Sequence, residues 1–184
     1  MASNAIICKA TVQISDMDRQ YYEDHVLTLA RHPSETEERM MVRLLAFVLH
    51  AHETLSFGRG LSAEEEPALW QKDLTGAIER WIEVGQPEEK AIRRACGRAK
   101  QVSIYTYGGR GTDQWWEKNM TAFGRLNNLA VMNLCQDGCR ALATLAQPSM
   151  QLQCTIQEGQ IWMTDGENTV HIELTILKHA SAPA

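Results

Sequence analysis

Two carboxylates, Asp73 and Glu83, flank a Leu74-Thr75-Gly76 turn signal. The stretches on either side, 68–73 and 79–85, read as short strands. The second has Trp81, Glu83 and Gly85 on one face and Ile82 and Val84 on the other. Antiparallel pairing about Gly76 would bring both acids to one end of a small sheet, where hard oxygen ligands suit Mg²⁺ or Mn²⁺. An ion held there polarises a phosphoryl oxygen and lowers the pKa of a bound water, which is the chemistry of phosphodiester hydrolysis. The commoner source of such spacing is a pair of solvated acids beside a turn.

Three further features bear on that chemistry. Glu38 borders the apolar stripe of a helix and can look into a site beside the sheet, or simply face water. Lys90, Arg93, Arg94, Arg98 and Lys100 form the densest positive segment. They read either as phosphate contacts or as a solvated helix face with Glu–Arg partners such as Glu89 and Arg93. The start of the helix after Glu83 can hold a phosphate, although Glu88 and Glu89 there suit the helix dipole instead. Cys135 and Cys139 have no second Cys or His pair at zinc-site spacing, so they read as core thiols. His50 and His52 point to different helix faces.

Positioning these residues requires an α/β (α+β) arrangement. Residues 5–15 alternate imperfectly as a strand, and 21–31 read as the return strand of an N-terminal β-hairpin. Ser34 with Glu37 forms a capping box for a helix running to about His52, with Met41, Leu44, Leu45 and Val48 as its apolar stripe. A short strand or turn at 55–60, an acidic loop at 62–67 and the two strands around Gly76 follow. Pro87 suits the first position of a second helix, whose buried face is Ile92, Ala95, Cys96 and Ala99. After a strand at 102–107 come a helix at 113–119, a strand at 129–134 and a short helix at 137–145. The chain ends in an antiparallel β meander with turn signals at Glu158-Gly159 and Asp165-Gly166.

Composition fits one domain spanning 1–184: 44% hydrophobic, 22% charged, with no apolar run as long as a membrane span. Five scattered cysteines and no leader pattern point to reduced thiols and a cytoplasmic location. A net charge of −5 counts against a dedicated nucleic-acid binder, while leaving room for an enzyme that meets nucleic acid through a local basic patch.

The segments Ala30-Arg31-His32-Pro33-Ser34-Glu35-Thr36, Glu38-Arg39-Met40-Met41, Arg59-Gly60-Leu61 and Glu66-Pro67 resemble the YaeQ family. So do Trp81-Ile82-Glu83-Val84-Gly85 and Thr155-Ile156-Gln157-Glu158-Gly159. The resemblance spans essentially the whole chain. It implies a bacterial protein with a core like that of the PD-(D/E)XK nucleases: helix, three strands, helix, strand. It also implies Asp73 and Glu83 as metal carboxylates and Glu38 as an accessory acid. The motif lysine two residues after the second carboxylate is Gly85 here. Among cations on the next helix, Arg93 is placed best to replace it, because it borders the buried face. Two functions follow: a divalent-metal-dependent nuclease with a relocated cation, or a non-catalytic binding or regulatory protein, with a protein partner, on the same scaffold.

Overall fold

Cys8, Ala10, Val12 and Ile14 are all buried and alternate with outward positions, so the first strand presents one apolar face. This strand, β1 (Ile6–Asp16), pairs antiparallel with β2 (Tyr21–Arg31) along its whole length, as expected for the hairpin. The computed structural model describes residues 4–59 and 65–181. The elements that follow are α1 (Glu37–His50), β3 (Leu55–Phe57), β4 (Leu69–Lys72), β5 (Ile78–Val84), α2 (Glu89–Arg98) and β6 (Ala99–Tyr107). Then come α3 (Arg110–Phe123), β7 (Leu129–Leu134), α4 (Gln136–Ala143), β8 (Ser149–Gln157), β9 (Gln160–Thr164), β10 (Thr169–Ile172) and β11 (Leu174–Lys178). Gly60, Leu61 and the first half of the acidic loop, 62–64, fall outside the described residues.

The fold is mixed α+β, with two mixed sheets and four helices among the described residues. One sheet has the order β10-β9-β8-β1-β2 and the other β11-β7-β6-β5-β4-β3. Parallel pairing of β1 with β8 joins the N-terminal hairpin to the late strands in one sheet. The expected C-terminal meander is therefore corrected: β8, β9 and β10 do meander, but β11 leaves them and pairs antiparallel with β7 in the other sheet. The alternation of Val170, Ile172, Leu174 and Ile176 hides the change of sheet, because period two carries no information on the partner strand; in β11 it does not even mark burial, since Ile176 is exposed.

α1 lies between the sheets. Every residue from Met40 to Val48 is buried, and the core around them draws Ala10, Val12 and Leu29 from one sheet and Leu69, Ile82 and Val84 from the other. The helix is thus covered all round, beyond its Met41/Leu44/Leu45/Val48 stripe. Even Arg43 is enclosed, its Nε and Nη2 donating to the two Glu35 carboxylate oxygens at 2.7 and 2.8 Å and its Nη2 to the Ala30 carbonyl at 3.1 Å. The expected capping box is also corrected. Thr36 caps α1, its Oγ1 accepting from the Arg39 N–H at 3.1 Å, while the Ser34 hydroxyl is bonded to His32. Pro87 lies outside α2, whose N-cap is Glu88.

A second core on the far side of β5–β7 packs Trp81, Ile92, Val102, Ile104, Phe123 and Val131 beneath α2 and α3. No helix among the described residues is long and apolar enough to cross a membrane.

Candidate functional site

β5 and β6 are parallel, and β6 and β7 are parallel, so three strands end side by side at their carboxyl ends. In sheets of this kind ligands dock just beyond those ends. Glu83 sits there, near the end of β5. Its Oε1 accepts from the Trp81 indole N–H at 2.9 Å, and the Ala68 backbone N–H also donates to it. Burial raises the Glu83 carboxyl above the usual glutamate range, against the opposing pull of these bonds and of the Arg39 charge.

A chain of polar neighbours extends from Glu83 across the start of α1. Arg39, whose Nη1 donates to Glu35 at 2.6 Å, acts electrostatically on both Glu83 and Tyr107. Tyr107 ends β6, bonds to the Thr36 side chain and has its phenol pushed up by burial. Next to it Cys139 of α4 points its Sγ at Glu38 Oε2, 3.7 Å away. Burial, and then Glu38, push that thiol up to about 12. Glu83 and Glu38 are thus linked only through neighbours: the Arg39 charge acts on Glu83 and Tyr107, and Cys139, which meets Glu38, acts on Tyr107. This end of the sheet offers a carboxyl biased toward its protonated form, a partly buried cation and a phenol, a set suited to holding a polar group by hydrogen bonds.

Asp73 does not belong to it. The β4–β5 register runs from Lys72↔Ile78 at the turn to Leu69↔Ile82 at the far end. Asp73 lies beyond the first pair and Glu83 beyond the last, so the two carboxylates occupy opposite ends of the hairpin, on the order of 15–20 Å apart. The expected convergence is therefore corrected: pairing about Gly76 occurs, but an antiparallel hairpin sets the residue after one strand opposite the residue before the next. Asp73 Oδ1 instead organises the turn, accepting from Thr75 N at 2.8 Å, Thr75 Oγ1 at 2.6 Å and Ala77 N at 3.0 Å. The Thr75 hydroxyl, with these amides, holds its carboxyl below the usual range. Among the described residues no group of three or more His, Cys, Asp or Glu gathers as a metal cluster. Carried one pair on, the register sets Ala68, a methyl group, across from Glu83.

The cation expectation changes as well. Gly85 has φ +108° with its N–H donating to the Tyr105 carbonyl, so the chain leaves the strand there in a conformation that disfavours a lysine. Arg93 Nη2 is paired with Glu89 at 2.6 Å and lines an outer cleft of ≈ 600 Å³ with Gln86, Pro87, Lys90, Trp115 and Lys118. Arg39 is the cation whose charge reaches Glu83. Sequence reasoning missed Arg39, Trp81 and Tyr107; the Trp-x-Glu spacing on one strand face was the signal for the indole contact.

The two acids predict opposite pH behaviour. Burial sets the folded Glu83 pKa above its unfolded value, so its contribution to stability is present at low pH and lost as pH rises from the ordinary glutamate value through the raised one. Glu83→Gln is accordingly expected to be more stable than wild type at pH 8, with the advantage closing by pH 4, as read by urea midpoints. Asp73 has a depressed folded pKa, so its stabilisation is present above the ordinary aspartate value and lost as pH falls through the depressed one. Asp73→Ala should lower the melting temperature at pH 7, with the difference shrinking below pH 4.

Comparison with known proteins agrees with this architecture. A family model described as YaeQ protein matches residues 1–174. The chain is 44% identical over 181 residues to a protein described as "Uncharacterized protein YaeQ" from Salmonella typhi, covering 98% of this chain and 100% of that one. It is 43% identical, with the same coverage, to its namesake from Escherichia coli K12. The crystal structure of YaeQ protein from Xanthomonas axonopodis pv. citri superposes with TM-score 0.92 at 46% identity, covering 97% of this chain and 99% of that one. That of YaeQ protein from Pseudomonas syringae does so with TM-score 0.91 at 37% identity, covering 95% and 97%. With a family match over nearly its whole length and relatives this similar, the chain belongs to the YaeQ family.

Proposed function

We propose that this protein acts by binding, as a cytoplasmic regulatory protein with a protein partner, on a single domain whose core is arranged like that of the PD-(D/E)XK nucleases. The order of α1, β3, β4, β5, α2 and β6 supports the scaffold. The separation of Asp73 from Glu83 along the hairpin, with Ala68 opposite Glu83, supports binding over hydrolysis. Two opposed carboxylates are the usual means of holding Mg²⁺ or Mn²⁺ against a phosphodiester. Here the first is engaged in a turn at the wrong end.

The alternative is divalent-metal-dependent phosphodiester hydrolysis at Glu83 with Glu38. One observation favours it: Glu83, near the carboxyl end of its strand, and Glu38, which meets Cys139, both have neighbours that act on Tyr107. Calorimetric titration of wild type and Glu83→Gln with Mn²⁺ and Mg²⁺, alongside a plasmid-cleavage assay, separates the two. Binding without hydrolysis predicts no saturable heat at millimolar metal and intact plasmid. Saturable Mn²⁺ binding that disappears in Glu83→Gln, with nicking of the plasmid, would reverse the assignment.

A further inference from the structure

Among the described residues no helix covers the outer face of the β10-β9-β8-β1-β2 sheet. Its inward residues face α1 and α4, and its outward ones form rows across the strands. Register places Asp24, Gln13, Gln153, Thr164 and Thr169 in one row. The neighbouring row is Tyr22, Ser15, Thr155, Trp162 and His171.

Three properties distinguish this face from an ordinary solvated sheet. First, it is nearly uncharged: among the outward positions of the five strands only Lys9 and Asp24 carry charge. A water-facing surface ordinarily has about a quarter to a third charged residues. Second, its polar groups are spare. The side chains of Thr11, Gln13, Gln151 and Gln153 make no hydrogen bond to the rest of the protein, and they line a groove of ≈ 310 Å³ closed at one end by the β9–β10 turn. Third, aromatic rings flank it. Trp162 is 37% exposed and stacks on His171 with centroids 5.2 Å apart, while Tyr22, 60% exposed, stands at the opposite end of the same row. Three strand spacings put Tyr22 and Trp162 roughly 14 Å apart.

We propose that this face is a binding site for a neutral oligosaccharide. Each sugar hydroxyl both donates and accepts, and the amides of Gln13, Gln151 and Gln153 with the Thr11 and Thr155 hydroxyls offer both functions without charge. The C–H face of a sugar ring packs on an aromatic ring, and the Tyr22–Trp162 span fits a chain of two to three sugars. Charge complementarity selects this occupant. A nucleic-acid strand needs cations along its backbone, and this face has Lys9 alone, while Asp24 and Asp165 line the groove. A stable protein partner draws on a contiguous apolar centre, whereas here the centre is Gln and Thr, with Ile7 and Val26 at the margin.

The test is backbone-amide NMR titration of the full chain with maltotriose, cellotriose, mannotriose and chitotriose, each to about 10 mM, a range that detects affinities near the millimolar level. Saturable shifts of Gln13, Gln153 and Thr164 with at least one trisaccharide are expected. Gln153→Ala and Trp162→Ala, both outward and checked for unchanged melting, should each weaken binding about tenfold, a loss typical of a central contact. No saturable shift with any of the four, shifts confined elsewhere, or affinity unchanged in both variants would overturn the proposal. So would occupation of these residues by a second copy, seen as dilution-dependent shifts without sugar, or by an oligothymidylate strand in their place. Metal titration at Glu83 reads a different face, so its outcome does not decide this one.

Discussion

Glu35→Ala is expected to destabilise the protein by about 3–5 kcal/mol, because it leaves Arg43 enclosed without its counter-ion. Arg43 is 1% exposed and Glu35 4%. The Glu35 carboxylate also accepts from Arg39, and its backbone carbonyl from Arg31 Nη1. One residue thus ties the end of β2 to the start of α1. For a chain of this length each kcal/mol moves the melting temperature by roughly 2–4 °C, so a fall of roughly 6–20 °C is expected. Replacing both partners, as Glu35→Leu with Arg43→Met, should recover most of the loss, since an apolar pair of similar volume needs no counter-ion. A urea midpoint for Glu35→Ala within about 1 kcal/mol of wild type would show that Arg39 and water suffice to balance the charge.

Phe123→Ala is expected to cost about 3–5 kcal/mol through the other core. Phe123 is fully buried, with the Trp115 and Trp116 ring centroids 5.5 and 6.3 Å from its own. The cavity would open beneath α3, on the far side of the sheet from Glu35. The two sites share no partner in either core, so their costs should add within about 0.5 kcal/mol in a double-mutant cycle. A larger coupling would mean that the sheet transmits packing changes between its faces. Near-UV circular dichroism should lose tryptophan signal in Phe123→Ala and keep it in Glu35→Ala at temperatures where both remain folded.

The periodic elements were legible because burial writes itself into sequence as period. β1 and the stripe of α1 followed from alternating and helical spacing, and β2 from its place after the turn. What period cannot carry is pairing. Nothing in Met150, Leu152, Cys154 and Ile156 says that their strand runs parallel to residues 9–16, or that the chain changes sheet after Ile172. α3 begins earlier than its residues suggest, at Arg110. Its N-cap is Gly109, two residues beyond the end of β6. In the site, Glu38 and Glu83 are linked only through Arg39, Tyr107 and Cys139, whereas the pairing of Asp73 with Glu83 was lost to geometry. Membership of one hairpin fixes register, and register set the two acids at opposite ends. Arg39 was hidden because its role depends on Glu35, Tyr107 and β5 arriving together from three separate stretches of chain.

The parallel contact between β1 and β8 has a consequence for how the molecule is made. Residues 9–16 find their partners at 149–156, so this strand, once synthesised, waits for the whole intervening stretch before its second edge is covered. Pairings this distant in sequence close slowly, because a long loop must be ordered before the contacts reward it. The segment from α1 to β7 carries its own local pairings and is free to condense earlier. Until β8 arrives, the inner edge of β1 presents open backbone, and a newborn chain halted near residue 145 would be the form most exposed to pairing with a neighbour.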